Sequence, residues 1–334
     1  MSSTRPVTQR RDTGIPDAAD LAAARAVVAE HLIPTPVVPV HLPGAAGEVL
    51  LKLETMQPTG SFKVRGALAA LSAYGRDPDG SFRAVTASAG NHGLGLAFAA
   101  GRLGVRAAVV VPTTASAAKV GALARMDVEL VEHGDDYEAA ERHALALASG
   151  GDAVFVSPYN DRYVIAGQST VAAEVADQVG DDVTLVVPVG GGGLVAAIAL
   201  RASHDSPATR VVGVEAAASP AVSAAVAAGG RVVSVPIGPT LADGLGDNIE
   251  PAAVTPRLAL GRVHAFVQVG EDAIAEAIRV LATGCGLVAE GAAAVAVAAL
   301  IEGAVPIAGR PVAVLTGRNI APALLARLLT DGAA

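Results

Sequence analysis

Short β-branched runs alternate with Ala-rich stretches along most of the chain. Residues 83–86 precede a helical stretch at 93–104, 107–112 precede 116–125, 128–131 precede 136–148, and 154–157 precede 167–179. Further on, 185–189 precede 194–203, 211–215 precede 220–228, and 312–316 precede 321–329. Short apolar runs of this kind read as strands covered on both faces, and regular strand–helix alternation predicts parallel sheets flanked by helices. The strands are too many for one comfortable open sheet. The pattern therefore predicts two three-layer α/β lobes with mainly parallel sheets and a cleft between them, the smaller lobe at about residues 83–159. Residues 1–31 read as an N-terminal tail and first helix, and 321–334 as a C-terminal helix and tail.

One stretch, 183–200, carries no charge over 18 residues. Pro188 and four consecutive glycines split it, so it reads as strand, loop and helix rather than as a membrane span. Hydrophobic residues make up 52% of the 334 positions but aromatic residues only 3%, so the core has to be built from Ala, Val and Leu. A net charge of −8 argues against nucleic acid or an anionic membrane surface as partner. The single cysteine, Cys285, excludes a disulfide framework and fits a reducing cytoplasm. Arg5, Arg10 and Arg11 are followed by no apolar core, which excludes a signal peptide. The seven histidines show no metal-ligand spacing such as HExxH, and no metal is expected.

In α/β sheets, ligands gather at the carboxyl ends of strands. Four loops in that position are chemically unusual: "PTGSFK", "SAGNHG", "PVGGGGL" and "LTGRN". Gly190, Gly191, Gly192 and Gly193 follow a strand and open a helix, where backbone N–H groups and the helix dipole suit a phosphate. A dinucleotide fingerprint is loosely mimicked by Gly190, Gly192 and Glu215, but Val195 replaces its third glycine. Ser88, Asn91 and the helix start after them offer donors and acceptors for a carboxylate and a ring hydroxyl; a plain N-cap explains them equally well. His92 reads as structural rather than as a general base. Thr316 ends the last strand, where a lone Thr is usually a cap. Lys63 sits at a helix N-terminus, where the dipole makes a cation unwelcome. A lysine held out of water near a phosphate site can lose its proton and form a Schiff base with an aldehyde. The phosphate-bearing aldehyde cofactor is pyridoxal 5'-phosphate.

At this point the residues resemble a known family. "PTGSFKVRGA", "SAGNHG", "VIAGQSTVAAEV", "VPVGGGGLVAAIA", "LADGLG" and "LVAEGAAAVAVAAL" are similar to the threonine dehydratase and serine racemase group of fold-type II pyridoxal-phosphate enzymes, the tryptophan synthase β family. The resemblance covers about residues 32–320, which it marks as a catalytic domain with the cofactor in the cleft between lobes. It implies Lys63 as the residue joined to the cofactor aldehyde, Phe62 beside the ring, and Asn91 at the ring hydroxyl. Gly190 to Gly193, with Leu194, would cradle the phosphate, and Thr316 would face the pyridine nitrogen. Ser88, Ala89, Asn91, His92 and Tyr159 would surround the substrate. A neutral hydroxyl draws less charge into the ring than a carboxylate would, which favours β-elimination over transamination. Glu290 competes for the place at the ring, but "VAEGAAA" fits a helix N-terminus equally well.

The implied activity is a threonine/serine ammonia-lyase acting on a small amino-acid substrate, L-threonine first. The substrate amine displaces Lys63, the freed lysine takes the α-proton, the β-hydroxyl leaves, and the enamine hydrolyses to a 2-oxo acid and ammonia. The alternative on the same scaffold is an amino-acid racemase, with a dehydratase of another β-hydroxy amino acid as a variant. A non-catalytic or nicotinamide-dependent protein is a remote third reading. A homodimer is the family's habit. The chain runs 15 residues past Asn319, so no regulatory domain and no feedback inhibition by isoleucine are expected. Three positions depart from the family. Thr316-Gly317-Arg318-Asn319 replaces Ser-Gly-Gly-Asn, and its Arg318 puts a cation near the cofactor edge, open to ligand or solvent, with an acidic substrate as one reading. Glu215 lacks the second carboxylate of cation-binding relatives, which puts a magnesium site in doubt. Tyr159 stands where relatives vary, at the substrate side-chain pocket.

Overall fold

The computed structural model describes residues 12–45, 47–75, 83–149 and 153–330; the arginine-bearing tail and residues 331–334 lie outside them. The chain divides into two compact units, one of residues 1–31 and 63–167, the other of 32–62 and 168–334, with the boundary falling between Phe62 and Lys63. The first unit therefore takes in more than 83–159, because the helices Ala18–His31 and Lys63–Tyr74 belong to it as well.

Ten strands run through the described residues: β1 Val37–His41, β2 Glu48–Lys52, β3 Arg83–Ala87, β4 Arg106–Val111, β5 Glu129–Glu132, β6 Ala153–Phe155, β7 Val183–Pro188, β8 Arg210–Ala216, β9 Ala265–Val269 and β10 Arg310–Val314. The first unit holds a four-stranded sheet in the order β5-β4-β3-β6, parallel throughout. The second holds six strands in the order β1-β2-β10-β7-β8-β9, all parallel except the edge pair β1/β2. The inner strands β4, β7 and β8 are buried over nearly their whole length, as a parallel sheet covered on both faces demands.

Two expectations differ in detail. The helical stretch 167–179 is broken into Arg162–Gln168 and Thr170–Val179. The first piece presses Gly167 onto Arg65 and Gly66, where an added Cβ would lie 2.5 Å from the Arg65 carbonyl oxygen. β1 and β9 escape the run pattern, because both are edge strands and neither is continuously buried. The uncharged stretch 183–200 divides into β7, the glycine loop and the helix Gly193–Asp205. No helix among the described residues is long and apolar enough to cross a membrane.

Scarcity of aromatic residues sets how the layers pack. Helix Gly291–Ile301, of sequence GAAAVAVAALI, is buried along all but its last residue and packs on β7, β8, β9 and β10. In the first unit Ala140 and Ala144 of helix Tyr137–Ser149 meet Val85, Ala87, Ala108, Val110 and Phe155 of the sheet. Small side chains let helix and sheet approach closely and keep many short contacts.

A polar cluster around Lys52 is largely enclosed in the second unit. Lys52, at the end of β2, is 0% exposed, and its Nζ donates to the Thr35 carbonyl at 2.7 Å, Glu174 Oε2 at 2.6 Å and Gln178 Oε1 at 3.2 Å. Next to it Thr35 Oγ1 donates to Glu54 Oε1 at 2.6 Å, and Gln57 Nε2 donates to Glu54 Oε2. This polar cluster fixes the segment that leads from β2 toward Phe62. Removing one partner of a buried pair leaves the other uncompensated. Lys52→Met is therefore expected to lower the unfolding free energy by about 3 kcal/mol, measured by urea denaturation.

Candidate active site

In the first unit Lys63 is the first residue of helix Lys63–Tyr74 and is half-buried. Its Nζ donates to the Pro158 carbonyl at 2.9 Å. Helix Asn91–Leu103 crosses that same first turn at Gly95, where a Cβ would stand 3.0 Å from the Lys63 carbonyl carbon and 3.1 Å from the Val64 nitrogen. A side chain at Gly95 would make this approach tighter than ordinary contact, and the crossing brings Lys63 and the "SAGNHG" loop together. That loop leaves β3 through Ser88, whose hydroxyl accepts from Gly90 N at 3.2 Å. The helix that follows has Gly90 as its N-cap and no side-chain cap, so the plain N-cap reading of Ser88 and Asn91 does not hold. Ser88, Ala89 and Asn91 are half-buried.

His92 points inward. It is 2% exposed, and its Nε2 lies 3.0 Å from the Val156 carbonyl, which makes that nitrogen the donor of a neutral ring. Burial, and then the nearby Lys63 cation, push the imidazole down to about 3. Its Nδ1 is buried without a partner among the described residues. Tyr159 is half-buried just after Pro158, on a turn where Ser157 Oγ accepts from Asn160 N at 3.1 Å.

The second unit carries the glycine loop and Thr316. Gly192 has φ +81° and caps helix Gly193–Asp205, again without a side-chain cap. Thr255 Oγ1 donates to the Gly191 carbonyl at 2.7 Å, and a Cβ on Gly192 would come within 3.0 Å of the Thr255 side chain. A Cβ on Gly190 would press on Leu245 of "LADGLG" at 3.1 Å. Helix N-terminus, uncapped N–H groups and bare backbone make a cradle for an anion, and Thr255 holds it from below.

"PTGSF" and "TGRN" are joined in the same unit. Phe62 N donates to the Thr316 carbonyl at 3.0 Å, Arg318 N donates to the Gly60 carbonyl at 2.9 Å, and Ser61 and Gly317 form an antiparallel bridge. Thr316 is 3% exposed, and its hydroxyl has no hydrogen-bond partner among the described residues. The Arg318 guanidinium donates to the Thr55 carbonyl, so the cation noticed in the sequence ties loop to loop. Glu290 N donates to the Gly317 carbonyl, and Glu290 is the N-cap residue of helix Gly291–Ile301. Glu215 Oε1 accepts from Val222 N at 2.8 Å and Ser223 N at 3.1 Å, while burial pushes its carboxyl upward. Among the described residues no cluster of three His, Cys, Asp or Glu side chains could hold a metal.

Sequence reasoning missed two groups. The Pro158 carbonyl has no side-chain signature, and Thr255 stands 64 residues from the carbonyl it binds.

The lysine amine at a helix start in the first unit suits an aldehyde, while the glycine loop and the unpartnered Thr316 hydroxyl of the second suit a phosphate and a ring nitrogen. Groups of these kinds on mainly parallel α/β sheets point to the class of pyridoxal-phosphate enzymes. The comparison with known proteins agrees: the chain belongs to the family described as pyridoxal-phosphate dependent enzyme, which matches residues 28–317, and pyridoxal phosphate is its cofactor. It is 37% identical over 287 residues to the L-threonine ammonia-lyase of Thermotoga maritima, covering 86% of this chain and 71% of that protein. A structure of maize serine racemase superposes with a TM-score of 0.84 at 26% identity, over 96% of this chain and 98% of that one. The processed threonine deaminase isoform 2 of Solanum lycopersicum gives a TM-score of 0.83 at 27% identity, over 99% and 94%.

Neutral, buried His92 has a thermodynamic signature. The unfolded chain binds its proton near pH 6.5, but the folded chain refuses it until about pH 3. Stability is thus full above pH 6.5 and falls toward pH 3, by about 1.4 kcal/mol per pH unit from this residue. Urea unfolding at pH 7 and pH 4.5 should show that slope, and His92→Asn should flatten it.

Proposed function

We propose that this chain is a pyridoxal-phosphate dependent threonine/serine ammonia-lyase, with L-threonine as its first substrate. Its likeness to the Thermotoga maritima L-threonine ammonia-lyase and to the tomato threonine deaminase supports the substrate class. The observation that carries the reaction type is Ala89, a half-buried methyl in the turn ahead of Asn91, at the position where the resemblance to the serine racemases of this family implies a serine as second proton donor.

Lys63 would carry the cofactor, Gly190 to Leu194 would hold its phosphate, and Asn91 and Phe62 would lie at its ring. When bound, the cofactor supplies an electron sink for the charge left at the substrate Cα. Lys63 Nζ, aimed by the Pro158 carbonyl, removes the α-proton as general base and returns a proton to the departing β-hydroxyl. Ser88 Oγ, Asn91 and the uncapped N–H groups of helix Asn91–Leu103 orient the substrate carboxylate. Tyr159 shapes the side-chain pocket. His92, held by Val156, backs the loop from inside. Thr316 Oγ1 gives the ring nitrogen a neutral partner and limits the charge drawn there. The aminoacrylate-type product takes up water outside the chemistry of the chain, giving a 2-oxo acid and ammonia; water lost and water gained balance. The protein works as a cytoplasmic homodimer, in keeping with its single thiol and its family.

Racemisation is the second reading, favoured by the likeness to maize serine racemase. Two-base racemisation needs an acid–base group on each face of the planar carbanion, and Lys63 serves only one. L-threonine and L-serine should therefore give 2-oxo acid and ammonia, with D-enantiomer minor on chiral chromatography. D-serine accumulating as fast as pyruvate would reverse the assignment.

Two substitutions probe these roles. Lys63→Ala should abolish the visible band of the bound cofactor and essentially all turnover; retention of both would remove Lys63 from its role. Ala89→Ser should raise the D-serine share of the serine reaction, read by the same chromatography.

A further inference from the structure

The second unit contains a cavity of about 320 Å³ to which neither the glycine loop nor Thr316 contributes. Gly230, Arg231, Pro251, Ala253 and Arg257 are among its walls, and no acidic side chain lines it. Arg231 and Arg257 are exposed, and neither makes an ion pair or side-chain hydrogen bond with any other described residue. Both residues line one opening without a counter-charge among the described residues, and an anion bound there would gain from either guanidinium. Their planar forks match the oxygens of phosphate and carboxylate groups, which they bind through paired charge-assisted hydrogen bonds.

The cavity wall is mechanically connected to the glycine loop. Gly230, at φ +83°, lies against Arg257 so closely that a Cβ there would be 3.0 Å from Arg257 Cγ and 3.2 Å from its Cα. Arg257 belongs to the short helix Thr255–Ala259. The first residue of that helix, Thr255, bonds the Gly191 carbonyl and packs under Gly192. One five-residue element is thus both a wall of the cavity and the support of the cradle.

We propose that this cavity binds a small multivalent anion through Arg231 and Arg257, and that the bound anion tightens the glycine loop's hold on the cofactor. The second half rests on the reading of Gly190–Gly193 as the phosphate cradle. Anion and cofactor then stabilise each other through one coupling free energy.

The test is calorimetric titration of the holoenzyme with pyrophosphate and, separately, citrate at constant ionic strength, beside the Arg231→Gln/Arg257→Gln double variant. Binding of at least one anion, weakened tenfold or more in the double variant and largely restored by lysine at both positions, supports the site. Pyrophosphate alone marks a phosphate ligand, citrate alone a polycarboxylate. No binding of either, or equal binding in the double variant (an adventitious ion only), overturns it. Cofactor release, followed by the visible band, should slow at least threefold with the bound anion in the wild type and stay unchanged in the double variant. Release unmoved by a bound anion overturns the coupling. Failure of the cradle reading shows separately, as a Gly190→Val protein that still retains cofactor.

Discussion

Everything at the candidate site depends on backbone meeting backbone where no Cβ stands between. In the first unit Gly95 lets helix Asn91–Leu103 cross the first turn of the lysine-bearing helix, which brings Lys63 to the Ser88–Asn91 turn. In the second unit the closest approach is at Gly291, where a Cβ would be 2.0 Å from the Leu241 carbonyl oxygen. That contact seats "LADGLG" against the buried alanine-rich helix, and Leu245 of the same segment then closes on Gly190. A Cβ at Gly291 would force helix and loop apart, and one at Gly95 or Gly190 would press on backbone that must give by a few tenths of an ångström.

The strand pattern was legible where strands are buried on both sides, as β3, β4, β7, β8 and β10 are over most of their length. It failed at β1 and β9, whose exposed edges need no continuous apolar run, and Pro39 in β1 further disguises the strand. Glycine-rich loops were legible for a physical reason: bare backbone at a strand end is costly, so its presence implies a use. What no local pattern could reveal was long-range pairing. Arg318 reads in sequence as a charge near a ligand, whereas the fold sets its guanidinium on the Thr55 carbonyl. Glu215 reads as a lone metal-type carboxylate, and the fold gives it two backbone N–H donors at the start of helix Ala221–Ala227.

Two buried nitrogen bases, His92 and Lys52, are held in different ways. In the first unit, His92 stays neutral because burial and the neighbouring Lys63 both oppose its protonation, so the loop beside the lysine carries no fixed cation of its own. In the second, the Lys52 ammonium is kept charged inside by Glu174, Gln178 and the Thr35 carbonyl.

The placement of β10 has a bearing on how the protein is made. It lies at the middle of its sheet, with β2 on one side and β7 on the other, although about 130 residues separate it from β7 and about 260 from β2 along the chain. Phe62 and Gly60 likewise wait for Thr316 and Arg318 to complete their ladder. On a ribosome the first unit has all its described strands once Phe155 has emerged, while the second lacks the strand that joins β2 to β7 until Val314 has left the tunnel. The half-made sheet is then the species most exposed to chaperones and to misassembly, and the glycine loop after β7 is translated long before the neighbour that completes its sheet.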